Sequence, residues 1–167
     1  AKLVGGGHRL ERFYGWLDYE KYFNQEGYQL YRSIASYGTA GWLGHPVKTA
    51  ILHYPEAQTD FIFSVIAQNF GFLGGVVVIL LSFGIDIKLV QITLNSHLNK
   101  ERYMMMGILG MLVFQQFQNM GMIMGILPIT GITLPFISYG GSSLLSYMVP
   151  MAVAFFMSSE NVNEQKH

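Results

Sequence analysis

The chain contains no cysteine, which removes disulfides, thiolate metal sites and cysteine nucleophiles from consideration. It is also poor in charge. Asp, Glu, Lys and Arg make up 12% of its 167 residues, against roughly 25% in an ordinary soluble domain. The ten basic and ten acidic residues balance, so there is no basic footprint and no nucleic-acid partner is expected. The histidines, His8, His45, His53, His97 and His167, show neither HxxxH nor HExxH spacing, and no metal cage is expected from them. Ten methionines, several of them in Met104–Met106 and Met120–Met124, lack the Cys or paired His of a copper site and read as fillers of irregular gaps.

What is present is apolar, at 51% of residues, and unevenly placed. Residues 61–85 and 103–159 carry no charge at all. The pattern predicts an all-α polytopic membrane protein fragment: an extracellular loop region with short interfacial helices, 1–60, then a membrane region, 61–158. Three transmembrane helices are expected at about 61–84, 103–127 and 138–158. A polar cytoplasmic loop, 86–102, joins the first two, and a cytoplasmic tail, 159–167, closes the chain. The opening AKLVGGGHRL has no initiator Met and no basic-then-apolar leader, and reads as the interior of a longer membrane protein. Orientation rests on basic residues near the spans. Lys48 stands alone before the first, whereas Lys88, Lys100 and Arg102 lie in 86–102, which puts that loop inside and 1–60 outside.

Within 1–60 the aromatics Phe13, Tyr14, Trp16, Tyr31, Tyr37 and Trp42 are prominent. GYQLYRSIASY, Gly27–Tyr37, places Leu30, Ile34 and Tyr37 on one helical face. It reads as an interfacial helix, or else as part of a small soluble subdomain burying the same aromatics. Gly38–Pro46 reads as loop. Ile126–Pro135 (ILPITGITLP) must break the second span, and Ser142 or Ser143 is expected to cap the third helix. Gly71-x-x-x-Gly75 and Gly121-x-x-x-Gly125 suggest close helix packing. Gln68, Asn69, Gln115, Gln116, Gln118 and Asn119 lie inside the spans, where amides need partners and read as interhelical glue.

Asp60 stands where the polar stretch HYPEAQT meets the apolar run FIFSV. Thr59 or Asp60 could cap the helix that begins there. A carboxylate at such a boundary could equally act as a general base, given a suitable environment.

Three stretches together resemble one family. YPEAQTDFIFSVIAQNFGFLGG, NMGMIMGILPITGITLPFISYGGSSLLSYMV and WLDYEKYFNQEGYQLYRSIASYGTAGWLG are similar, in order, to the signature segments of the SEDS proteins (shape, elongation, division and sporulation), which include RodA and FtsW. The chain departs from the pattern at Gln68 and Asn69, where the family often has an acidic pair. It departs again at YGTAGWLGHPV, where a GSGGLFGKG-like run is more usual.

The resemblance implies a carboxy-terminal portion of a bacterial plasma-membrane protein of about ten helices. It implies a peptidoglycan glycosyltransferase that polymerises lipid II at the outer face, for elongation or division, with a class B penicillin-binding protein and other elongation or division complex proteins as partners. Matched by position, Asp60 takes the place of the family's essential outer-loop aspartate and is the expected catalytic residue. Glu56 and Thr59, with Pro55, would shape its loop. Ser138, Tyr139, Gly140, Gly141, Ser142 and Ser143 would form a facing substrate-binding turn, or simply start the third helix. No cofactor or metal is assigned; a divalent cation is one source of the positive charge that a pyrophosphate leaving group needs. A lipid II flippase and a non-catalytic scaffold for the penicillin-binding protein are the competing functions.

Overall fold

A computed structural model describes residues 7–18, 26–45, 59–96 and 98–164. These form five helices: α1 (Gly7–Leu17), α2 (Glu26–Thr39), α3 (Ile62–Asn95), α4 (Asn99–Ile123) and α5 (Gly141–Glu164). No strand occurs among the described residues. The architecture is that of a polytopic membrane protein fragment. Helix α3 is, among the described residues, the one both long and apolar enough to cross a membrane by itself, and Gly141–Phe156 of α5 is a shorter apolar segment. The amide cluster of α4 keeps its mean hydropathy lower. Helix α3 exposes Phe70, Phe72, Leu73, Val77, Leu80, Leu81 and Phe83. An all-round apolar helix of this kind suits hydrocarbon or neighbouring helices rather than water.

Two apolar clusters organise the packing. One, at the end that carries Asp60, joins Leu30 of α2, Phe61, Phe63 and Val78 around α3, Met122 and Ile123 of α4, and Ile129 and Leu134 of the loop that follows. The other joins Leu89 of α3, Met105 and Leu112 of α4, and Tyr147 and Ala154 of α5. Helix α2 belongs to the first cluster. Its buried face is Leu30, Ser33 and Ser36, and the two small serines let α2 approach α3 and α4 closely. Tyr31, Tyr37 and Trp42 are exposed. The helix expected at Gly27–Tyr37 is therefore present, but its inner face packs on the bundle, and its aromatics do not form a core of their own.

The polar segment 86–102 is not mainly a loop. Helix α3 runs on to Asn95 and α4 begins at Asn99. Ile85, Leu89 and Ile92 recur at helical spacing and pack on Met105 and Leu112, so the apolar stripe outlasts the uncharged run. At about 1.5 Å per residue, α3 is about 50 Å long, well beyond a hydrocarbon core of roughly 30 Å.

Helix α3 is also broken. Gly71 has φ 66° and ψ −161° inside it, a conformation open to glycine. The backbone of the segment after α2 fills the break. The Phe72 and Leu73 N–H groups donate to Gly41 O (2.9 Å) and Trp42 O (3.3 Å), while Gln68 O accepts from His45 N–H (2.8 Å). A Cβ on Gly71 would collide with Trp42 and Gly44 backbone, and one on Gly44 with Asn69 and Gly71. The Gly71–Gly75 pair thus admits a loop rather than a second helix, and Gly75 faces the Phe63 ring. The other pair differs in the same way. Gly121 faces the Leu127 side chain. Gly125, at φ 76°, ends α4 in a Schellman arrangement, with Ile126 N–H on Gly121 O (2.9 Å) and Gly125 N–H on Met122 O (3.0 Å).

Helix α5 starts at Gly141, and Gly140 O takes the Leu144 N–H at 3.0 Å. Neither Ser142 nor Ser143 is its cap: the Ser143 hydroxyl donates to Gly140 O (2.9 Å) and lies inside the first turn.

Candidate functional site

Asp60 lies in the turn that leads into α3. The N-cap is the next residue, Phe61, and it supplies no side-chain cap bond. Asp60 and Thr59 stand one and two residues before that position, in the turn itself. Phe61 is 1% exposed, and its burial anchors the chain at the helix start while Asp60 keeps part of its surface accessible.

The backbone of Asp60 is held from α4. Asn119, fully buried, donates through Nδ2 to Asp60 O (2.7 Å) and to Ile132 O (2.6 Å). Both hydrogens of one amide are used, and they join segments 59 residues and 13 residues away in sequence. Gln118 adds a bond to Pro128 O at 3.2 Å, and the Thr130 N–H points at Met122 Sδ at 3.4 Å. Amides read as glue between helices here bind loop carbonyls instead. A loop folded back onto the end of the bundle needs this, because backbone groups taken out of solvent must find partners. Gln116 is the interhelical case, donating to Asp86 Oδ1 at 3.2 Å.

This anchoring sets Gly131 against the Asp60 carboxylate. A Cβ on Gly131 would lie 3.2 Å from Asp60 Oδ2 and 3.5 Å from Arg12 Nη1 of α1. Gly131 itself has φ 72°. Three segments remote in sequence thus converge: Arg12 on α1, Asp60 before α3 and Gly131 in the ITG turn. Helix α1 is held there by Trp16, whose Nε1 donates to Gly125 O at 2.8 Å. Gly131 is exposed, and Arg12 and Asp60 are half-buried, so the group is reachable from outside the protein.

The other expected site residues divide. Pro55 and Glu56 lie outside the described residues. Thr59 is half-buried beside Asp60. In the turn Ser138–Ser143 the hydroxyls of Ser138 and Ser143 serve the turn itself. Ser138 Oγ accepts the Leu134 N–H at 2.7 Å, and Ser143 Oγ bonds Gly140 O. Tyr139 is 76% exposed, so its ring is available to a ligand. Gly140 has Ser143 Oγ against it, while Gly141 and Ser142 are exposed at the helix start. Phe136, preceding this turn, has φ 65°. For a bulky residue that is a strained conformation, held by the contact of its ring with Tyr147 at 5.6 Å. Tyr147 OH is in turn bonded to Thr133 Oγ1 at 3.0 Å. Among the described residues no three His, Asp or Glu gather to hold a metal ion. Sequence reasoning missed Arg12. Nothing local marks it, since its partners lie about fifty and about one hundred and twenty residues onward.

Compared with known proteins, the chain matches the cell cycle protein family of FtsW, RodA and SpoVE over residues 3–163. It belongs to that family. It is 36% identical over 165 residues to the probable peptidoglycan glycosyltransferase FtsW of Pasteurella multocida, covering 95% of this chain and 42% of the relative. It is 32% identical over 159 residues to the stage V sporulation protein E of Bacillus subtilis, covering 93% of this chain and 43% of the relative. Among solved structures it is similar to a chain of a peptidoglycan synthase complex that coordinates polymerization and crosslinking. That match has TM-score 0.75 and 29% identity, over 93% of this chain and 43% of the other. It is also similar to the rod-shape-determining protein RodA of Thermus thermophilus, with TM-score 0.61 and 32% identity over 73% of this chain and 38% of the other. The SEDS chain thus spans about two-fifths of the length of these relatives.

Proposed function

We propose that this SEDS chain is the part of a peptidoglycan glycosyltransferase that carries its catalytic carboxylate, Asp60. The supporting observation is the turn before α3, where Asn119 fixes the Asp60 backbone and the carboxylate is left beside the accessible Gly131. Family membership and relatives named as peptidoglycan glycosyltransferases supply the reaction class. In this reading the substrate is lipid II, polymerised at the outer face of the bacterial plasma membrane during elongation or division. The sugar 4-hydroxyl of one lipid II molecule loses its proton to Asp60 and attacks the anomeric carbon of another, whose diphosphate leaves. Thr59, Glu56 and the Ser138–Ser143 turn, with Tyr139 open to a sugar face, border the acceptor. A class B penicillin-binding protein and other elongation or division proteins are the proposed partners.

The test uses the full-length protein with its penicillin-binding partner. Conversion of labelled lipid II into glycan strands is followed for wild type and Asp60→Asn. Loss of at least about a hundredfold in rate is expected, in line with removal of a general base, with partner binding intact. Equal rates would remove Asp60 from the chemistry, and retained lipid transport with no polymer in wild type would favour a flippase.

A further inference from the structure

The glycosyl transfer proposed above releases a diphosphate, and Asp60 alone brings negative charge to the place where negative charge must develop. Arg12 changes that. Its Nη1 and the Asp60 Oδ2 stand 3.5 Å and 3.2 Å from one and the same point, the place of a missing Cβ on Gly131. The absence of that side chain lets the ITG turn come close to both charged groups, where even a methyl would crowd the carboxylate. Gly131 is itself exposed and occupies a left-handed conformation, so the surface between the two charged groups is bare backbone.

We propose that Arg12 is a substrate-binding residue whose guanidinium receives the diphosphate of the lipid donor. The inference rests on the glycosyltransferase reading. Chemically, a guanidinium offers a planar fork of N–H donors that matches phosphate oxygens two at a time and stays charged at any physiological pH. In the transfer, a bond forms between the acceptor oxygen and the anomeric carbon. The bond from that carbon to the diphosphate oxygen breaks, and its electron pair leaves with the diphosphate. The acceptor proton passes to Asp60, and Arg12 faces the oxygen that gains charge. Before substrate binds, the same guanidinium keeps a cation near Asp60; the arriving diphosphate then draws it away and leaves the carboxylate to the acceptor hydroxyl. Helix α1 therefore has a defined task, and the Trp16 bond to Gly125 O ties the helix that carries Arg12 to the end of α4.

The experiment uses the full-length protein with its partner. Initial rates against lipid II concentration are measured for wild type, Arg12→Gln, Arg12→Lys and Asp60→Asn, together with inhibition by a short-chain polyprenyl diphosphate. Arg12→Gln should lower kcat/KM about a hundredfold and weaken diphosphate inhibition about tenfold, with Arg12→Lys between it and wild type. A fall in rate with unchanged diphosphate inhibition would make Arg12 structural and overturn the proposal. In wild-type protein, modification of Arg12 by phenylglyoxal, mapped by mass spectrometry, should be slowed by the same diphosphate. Unslowed modification would overturn the proposal even if Arg12→Gln did not fold. Full activity of Asp60→Asn would instead remove the underlying reading, whatever Arg12 does. An inactive Asp60→Asn beside an Arg12→Gln with unaltered diphosphate inhibition would remove this inference alone.

Discussion

The two ends of the bundle are built by different means. At the Asp60 end, side-chain amides and loop backbone share the work with apolar packing. Asn119 binds Asp60 O and Ile132 O, Gln118 binds Pro128 O, and loop 40–45 completes α3. At the far end, Leu89, Met105, Leu112, Tyr147 and Ala154 meet mainly as apolar helix faces, and the side-chain bond from Gln116 to Asp86 joins α4 to α3 directly, helix to helix. The first kind of contact fixes backbone positions one by one. The second tolerates small shifts as long as volume is kept. A site that must hold a carboxylate in place needs the first kind, and that is where Asp60 lies.

The contrast can be broken most severely at Gly71. Gly71→Val forces a β-branched residue into a backbone conformation (φ 66°, ψ −161°) that essentially only glycine adopts, at about 1–3 kcal/mol for the backbone alone, and drives its Cβ into the Trp42 and Gly44 backbone. We expect loss of folded protein, read as a collapsed yield and a lost thermal transition. Asn119→Ala should come next. It removes two side-chain bonds to part-buried carbonyls, each worth about 0.5–1.5 kcal/mol. Glycan synthesis by the full-length protein should fall further than its thermal stability does, and an equal loss of both would show that the bonds hold the fold without placing Asp60. Leu112→Ala, at the far end, should cost about 2 kcal/mol, the low end for a buried leucine, because lipid supplies little hydrophobic drive between helices. Its polymer synthesis at low temperature should stay near wild type. Trp42→Ala is the mildest. The ring is 70% exposed and touches Phe72 edge-on at 5.3 Å, worth about 0.5–1.5 kcal/mol. A Tm shift beyond that of Leu112→Ala would mean the loop depends on this ring more than on its backbone bonds.

Much of this division could be read in the chain. The change at Asp60, the presence of helix α4 and the helix-breaking ILPITGITLP run follow from local composition. The three SEDS-like stretches then supplied the family. The continuation of α3 past Asp86 was also legible, in the spacing of Ile85, Leu89 and Ile92, but Lys88 and Asp86 hid it behind a charge pattern that suits a loop equally well. Gly71 was misleading for a physical reason. A glycine that opens a helix and one that lets helices touch look alike in sequence, and only the partner backbone, thirty residues earlier, separates them. The convergence of Arg12, Asp60 and Gly131 had no local signal, because it is made by the placement of α1 over the end of α4.

The break at Gly71 gives the protein a built-in reporter. In an unbroken helix, the amide protons of Phe72 and Leu73 would exchange with solvent only when α3 itself frayed. Here they are covered by carbonyls from the stretch that follows α2, so their exchange records the lifting of that stretch. Two protons in the middle of an apolar helix would thus time the movements of a loop at the protein's edge. Any ligand or partner that grips residues 41–45 should slow them first, before it alters any other amide of α3.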